Sequence, residues 1–88
     1  MMEQQVTIQN HLGLHARPCA TFVQVAGKFA AHIFVEREGL EVNGKSILGV
    51  MMLAAEMGAK ITLKADGPDE AQALEALVQL VNNKFGEE

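Results

Sequence analysis

The chain has 88 residues, of which 49% are hydrophobic, and a formal net charge of −4. This is enough for one small folded domain over residues 1–88, but too little to enclose a large substrate, and the negative charge argues against nucleic acid as a partner. The single cysteine excludes an internal disulfide. The sequence has no apolar run of about 20 residues and no signal-peptide pattern. We therefore expect a cytoplasmic protein that does not bind membranes.

The N-terminal third of the chain predicts a strand, a loop and a helix. Polar and apolar residues alternate over residues 5–9, as is typical of a strand, and residues 10–13 predict a loop. From Ala16, apolar residues recur at helical spacing as far as residue 30. Gly27 lies near the expected end of this helix.

A β-hairpin and a short helix are predicted next. The β-branched and aromatic run in residues 32–37 favours a strand, residues 38–39 favour a turn, and residues 40–42 favour a short returning strand. Ser46 precedes an amphipathic segment for which it is the expected N-cap. Gly58 is the expected stop signal of that helix.

The remaining pattern predicts a strand and a helix, and so completes the fold. Residues 61–65 alternate as a fourth strand, Asp69 and Gln72 resemble a capping box, and Gly86 is the expected end of the last helix. The predicted order is βαββαβα. It corresponds to an α+β open-faced sandwich, in which three helices cover one face of a four-stranded antiparallel sheet and solvent contacts the other.

One segment, Gly-Leu-His-Ala-Arg-Pro at residues 13–18, combines features of a phosphate site. Pro18 is tolerated in a first helical turn, which puts His15 at the helix N-terminus, where free N–H groups and the helix dipole attract anions. Arg17 can bind phosphate oxygens. No aspartate or glutamate occurs between residues 4 and 35, so the sequence around His15 has no negative charge to repel an anion. The segment therefore predicts a histidine that accepts and releases a phosphoryl group. The alternative is a simple helix cap beside a solvated arginine.

A second segment, residues 39–46, matches the letters of a nucleotide-binding P-loop. The match is expected to be accidental, because residues 40–42 alternate as a strand and the chain is too short for a nucleotide-hydrolysing fold. Ser46 is better interpreted as a helix cap that a kinase can phosphorylate. A phosphate there gains about 0.3–1 kcal/mol from the helix dipole. A cap without any regulatory role is the alternative.

The two segments together resemble the HPr family, the histidine-containing phosphocarriers of the bacterial phosphoenolpyruvate:sugar phosphotransferase system. The resemblance extends from about Glu3 to Lys84. It implies that enzyme I phosphorylates His15 on Nδ1, that Arg17 assists, and that the group then passes to an EIIA domain. Such a protein is a carrier rather than an independent catalyst. It needs no cofactor or metal, and we expect a monomer.

The resemblance further implies that Ser46 is the target of an HPr kinase/phosphorylase. A transcription regulator is a further candidate partner, whose binding the state of Ser46 would control. The resemblance also implies that an exposed apolar patch docks partners; this patch, called the α2 patch below, consists of Ile47, Leu48 and Met51. The residues alone leave open whether these three belong to the core, although a helix this short cannot bury all its apolar side chains.

Several alternatives remain at this stage. A regulatory module controlled by Ser46, with no role in sugar transport, is the main one; a small-molecule-sensing domain explains neither His15 nor Ser46. Cys19 is expected to be a small buried residue, and a redox-active thiol or a metal site shared with His15 is a weaker interpretation. His11 and His32 are expected to lie in a loop and at a strand end, without a function.

Overall fold

Four strands, three helices and a final 3-10 turn follow one another in the computed structural model, which describes residues 1–87. The elements are β1 (Met2–Thr7), α1 (Ala16–Ala26), β2 (His32–Arg37), β3 (Leu40–Asn43), α2 (Ile47–Met52), β4 (Lys60–Asp66), α3 (Glu70–Asn82) and the C-terminal turn (Lys84–Gly86). The predicted order βαββαβα and the α+β class are confirmed.

The sheet is antiparallel throughout, with the strands in the order β1-β4-β2-β3. Side chains of a strand alternate between the two faces, so Ile61 and Leu63 of β4 are buried under the helices while Lys64 points to the open face. There the Lys64 ammonium lies 2.8 Å from carboxylate oxygens of both Glu36 and Glu41. These hydrogen bonds, led by that of Glu36, raise the pKa of Lys64.

The helices bury their apolar faces against the sheet and one another. α3 packs against β1 and β4, while α1 packs against α2 and α3. Cys19 of α1 is fully buried, and its thiol donates to the carbonyl oxygen of Leu14 at 3.4 Å. Burial raises the pKa of this thiol to about 11, which keeps it protonated and unreactive. The expected small buried cysteine is confirmed, and its burial argues against a redox-active thiol.

The hairpin turn is confirmed, and its backbone explains its sequence. Arg37 pairs with Leu40, which leaves a two-residue loop of Glu38 and Gly39. Both loop residues have positive φ, 50° and 86°. Positive φ at both central positions is the signature of a type I′ turn, whose twist matches that of the flanking strands.

Both bounds of β1 differ from the prediction, because the strand already begins at Met2 rather than at residue 5. β1 ends at Thr7 rather than at residue 9, because Ile8 leaves the register with β4 and bonds instead to Gly58 and Ala59, at 2.8 and 2.9 Å. α1 ends at Ala26 with Gly27 as its C-cap residue, which confirms the predicted end near Gly27, although apolar residues continue at helical spacing as far as residue 30. The Gly27 amide still bonds to the carbonyl oxygen of Val23, but the chain then turns toward β2.

The predicted end of α2 at Gly58 is wrong, because the helix ends at Met52. Arg37, on β2, donates from Nη1 to the carbonyl oxygens of Leu53 and Ala54 at 3.1 and 2.9 Å. Carbonyls at a helix end need such partners. Ala54 then takes a positive φ of 48°, which turns the chain out of the helix.

The predicted start of α3 at Asp69 is confirmed, but the predicted capping box and the predicted end of the helix are wrong. Asp69 occupies the N-cap position but forms no capping box, because its carboxylate accepts hydrogen bonds from the amides of Ala30 and Ala31, both at 2.8 Å. The helix ends at Asn82 rather than at Gly86. Beyond it the C-terminal turn folds back with Phe85 buried in the core.

Candidate functional site

His15 is the N-cap residue of α1, as the sequence predicts. Its backbone is extended, with φ −80° and ψ −174°, and its carbonyl oxygen accepts the first helical hydrogen bond, from Cys19, at 3.1 Å. The amides of Ala16 and Arg17 lie in the first turn of the helix, where backbone N–H groups have no acceptor within the helix. Pro18, in the same turn, has no N–H group that needs one. The His15 side chain is 36% exposed, so a partner protein can reach it.

The loop before His15 is held in place by contacts that only glycine permits. Gly13 has a φ of +67°, and a Cβ there would lie 2.5 Å from the carbonyl oxygen of Ala55 and 2.8 Å from Cα of Glu56. The next amide, that of Leu14, donates to the same Ala55 oxygen at 2.8 Å. The segment that follows α2 thus fixes the position of the His15 backbone.

The carboxylate of Glu87, which the sequence did not predict as part of the site, lies within hydrogen-bonding distance of the His15 ring. Oε2 of Glu87 is 2.9 Å from Nε2 of His15, and Oε1 of Glu87 accepts a hydrogen bond from Nδ2 of Asn10 at 3.0 Å. The segment around His15 has no acidic residue of its own, but the fold brings one to the ring from the C-terminal end of the chain. No local signal could have revealed this contact, because the two residues are 72 positions apart in the chain.

Arg17 is exposed beside this arrangement. Within residues 1–87 its guanidinium has neither a hydrogen bond nor an ion pair, so its charge is available to an incoming anion. It lines a surface hollow of about 670 Å³, to which Glu87 and the C-terminal turn also contribute. The tertiary structure thus brings the predicted cation and the unpredicted carboxylate to one hollow.

Ser46 is the N-cap of α2, and this prediction is confirmed. Its Oγ accepts a hydrogen bond from the amide of Gly49 at 3.1 Å. The preceding residues do not form a phosphate-binding loop, because β3 is a strand and the Gly44 amide donates to the carbonyl oxygen of Ile33 at 2.7 Å. Lys45 donates from Nζ to the carbonyl oxygen of Phe29 at 2.7 Å, away from any such loop.

The α2 patch is exposed, as the family resemblance implies. Leu48 is 74% exposed, and Ile47 and Met51 are each about two-fifths exposed, whereas Val50 on the inner side of the helix is 1% exposed. Because α2 packs against α1, the patch and His15 belong to neighbouring helices.

The other histidines lie where the sequence places them. His11 is in the loop before α1, and His32 is the first residue of β2, where its ring stacks on Phe34 with the ring centroids 6.5 Å apart. Within residues 1–87, no three His, Cys, Asp or Glu side chains are grouped to hold a metal ion. None of the helices in the same range is long and apolar enough to cross a membrane.

Comparisons with known proteins agree with the fold and the motifs. A family model described as the PTS HPr component phosphorylation site matches residues 2–83. Phosphocarrier protein HPr of Cupriavidus necator is 51% identical over 87 residues, which are 99% of this chain and 98% of that protein. The HPr-like protein Crh of Bacillus subtilis is 45% identical over 84 residues, 96% of this chain and 99% of its own length. The crystal structure of HPr-C-His from Thermoanaerobacter tengcongensis superimposes with a TM-score of 0.96 at 50% identity, covering 100% of this chain and 99% of that one.

Proposed function

This chain belongs to the HPr family of the phosphotransferase system, and on that premise we propose that it carries a phosphoryl group on His15, received from enzyme I and passed to EIIA domains. The observation that carries the proposal is the position of His15. A partly exposed imidazole at a helix N-terminus has a nucleophilic nitrogen next to backbone N–H groups, and Arg17, which has no ion pair within residues 1–87, is two residues away.

The transfer needs one bond to form and one to break. The lone pair of Nδ1 attacks phosphorus, and the bond between phosphorus and the donor breaks with its electron pair returning to the donor. Nε2 is engaged by Glu87, so Nδ1 is the ring nitrogen without a hydrogen bond in residues 1–87. The new charge then meets the amides of Ala16 and Arg17 and the Arg17 guanidinium. An open site of this kind holds the group without enclosing it, so the group can leave again.

Partner docking is assigned to the α2 patch. An apolar surface on a short helix beside the phosphorylated residue lets both enzyme I and EIIA dock by burying the same side chains. This arrangement suits a carrier, which must bind a donor and an acceptor in turn with similar affinity.

Ser46 is proposed as the regulatory site of an HPr kinase/phosphorylase. Its Oγ already lies at the positive end of α2, where it accepts a hydrogen bond from Gly49. A phosphate in its place keeps hydrogen-bond acceptors for those amides and adds nearly two negative charges beside Ile47 and Leu48. Docking through the patch then requires desolvation of a phosphate, which weakens the binding of PTS partners.

The proposal is tested by incubating the full chain with phosphoenolpyruvate and enzyme I and measuring the intact mass. We expect one added phosphoryl group that is lost in acid and absent in His15→Ala, while circular dichroism shows the variant to be folded. His32→Ala is the matched control, because it removes an exposed histidine at the start of β2. An acid-labile group that persists in a folded His15→Ala variant contradicts the proposal.

A second candidate function is a regulatory module controlled by Ser46, without transfer through His15. The capped geometry of Ser46 and the similarity to Crh support it. Incubation with ATP and HPr kinase separates the two functions. An acid-stable phosphate on Ser46 together with no reaction with phosphoenolpyruvate favours the module, and reaction in both cases favours a regulated carrier.

A further inference from the structure

Three side chains form a continuous hydrogen-bonded chain that ends on the His15 ring. Nδ2 of the fully buried Asn10 donates to the carbonyl oxygen of Gly13 at 2.7 Å and to Oε1 of Glu87 at 3.0 Å. Oε2 of Glu87 in turn lies 2.9 Å from Nε2 of His15. The bond to Gly13 fixes the Asn10 amide, the bond from Asn10 fixes the Glu87 carboxylate, and the contact with Nε2 fixes the His15 ring.

The fold holds Glu87 in this position, unlike the carboxylate of an ordinary surface ion pair. Its side chain is only 18% exposed. The preceding C-terminal turn has left-handed backbone at Lys84, Phe85 and Gly86, with φ values of 56°, 57° and 77°. Left-handed non-glycine residues persist only where their surroundings hold them, and here the buried Phe85 ring does so.

We propose that Glu87 is a positioning residue for the transfer, an inference that rests on His15 being the phosphoryl acceptor. A neutral imidazole carries one N–H, and an ionised carboxylate can only accept hydrogen bonds. The nitrogen that faces Glu87, Nε2, must therefore carry the proton. The lone pair then lies on Nδ1, the nitrogen that attacks phosphorus, and Asn10 holds the carboxylate in the orientation that selects this tautomer.

The same contact lets the phosphoryl group arrive and leave without movement of a proton. When Nδ1 bonds to phosphorus, Nε2 keeps its proton, and the ring becomes a cation that faces the Glu87 carboxylate. When the group moves on, the Nδ1–P bond breaks and its electron pair returns to Nδ1, which restores the neutral ring. Arg17 and His11 line the same hollow as Glu87, and the Arg17 charge acts on the phosphoryl oxygens.

Glu87→Gln gives a sharp test, because Asn10 dictates how the new amide is oriented. The Asn10 Nδ2 donor selects the glutamine oxygen, which leaves the glutamine NH₂ facing Nε2 of His15. Nε2 must then accept, and the ring proton moves to Nδ1. We expect ¹⁵N NMR of the unphosphorylated protein, in mildly alkaline buffer where imidazole is ordinarily neutral, to show the Nε2–H form in the native chain and the Nδ1–H form in Glu87→Gln. Phosphorylation by phospho-enzyme I should slow by about tenfold or more.

The matched control is Glu75→Gln, which makes the same charge change on an exposed position of α3; it should leave both readouts unchanged. The proposal is overturned if the Glu87→Gln variant keeps the native His15 tautomer. It is also overturned if the tautomer is inverted in this variant but its rate of phosphorylation stays native. The tautomer is measured without any phosphoryl donor. A native chain that accepts no phosphate therefore refutes the proposed function, and the spectra still decide whether Glu87 orients the ring.

Discussion

Replacement of Gly13 by alanine is expected to destabilise the protein much more than the same change at Gly39, although both glycines have positive φ. The left-handed backbone costs an alanine about 1 kcal/mol at either position. At Gly39 nothing lies within 4 Å of the new methyl group, whereas at Gly13 it would meet the backbone of Ala55 and Glu56 at 2.5 and 2.8 Å. Backbone shifts that relieve such overlaps cost roughly 1–3 kcal/mol more.

Urea unfolding followed by circular dichroism measures the difference, since the chain has neither tryptophan nor tyrosine for fluorescence. With a slope of about 1 kcal/mol per M for a small domain, the midpoint should fall by about 1 M for Gly39→Ala and by about 2–4 M for Gly13→Ala. Phosphorylation of His15 should slow in Gly13→Ala alone, because the hydrogen bond from Leu14 to Ala55 is disturbed. Equal midpoints for the two variants would refute the reasoning about close approach.

Three further outcomes follow from the same contacts. Leu48→Asp should raise the KM of enzyme I for this protein about tenfold while changing the free energy of unfolding by less than about 0.5 kcal/mol, because the side chain is 74% exposed. An unchanged KM for this variant would contradict the proposal that partners dock on the α2 patch. The hydrogen bond from the Ala30 amide, followed by that from Ala31, lowers the pKa of Asp69. The ionised Asp69 carboxylate therefore stabilises the folded state fully above the unfolded pKa of about 3.9, and this stabilisation is lost as the pH falls through the lower folded pKa. Asp69→Asn should accordingly flatten the acid limb of a plot of unfolding free energy against pH, and an unchanged limb would contradict this. The Cys19 thiol, with a pKa of about 11, should react with a thiol reagent only after unfolding in urea, and rapid modification of the folded chain would show that the site opens locally.

The order of elements could be predicted because it depends on neighbours in the chain. Alternation over residues 61–65 and helical spacing after Ala16 decide which face of each element is apolar, and the structure confirms both elements. The position of His15 at a helix start was also predictable, because Pro18 is tolerated only in a first turn. The same holds for the Ser46 cap, where side chain and partner amide are three residues apart.

The ends of the elements were less predictable, because distant residues supply their hydrogen-bond partners. α2 ends where Arg37 reaches the carbonyls of Leu53 and Ala54, so Gly58 plays no part in its end. Asp69 has the sequence of a helix cap, but its carboxylate binds the backbone before β2. A local pattern identifies which groups can make a hydrogen bond, and the packed fold decides which partner each one finds.

The sequence by itself determined that a histidine lies at the start of α1 beside an arginine, since those features need only a few consecutive residues. The tertiary structure alone decided that a carboxylate lies against the ring of that histidine. Glu87 reaches His15 because β1 and α3 pack together and the C-terminal turn buries Phe85. A contact across 72 positions depends on closing the whole chain around one core, and no short stretch of sequence carries that information.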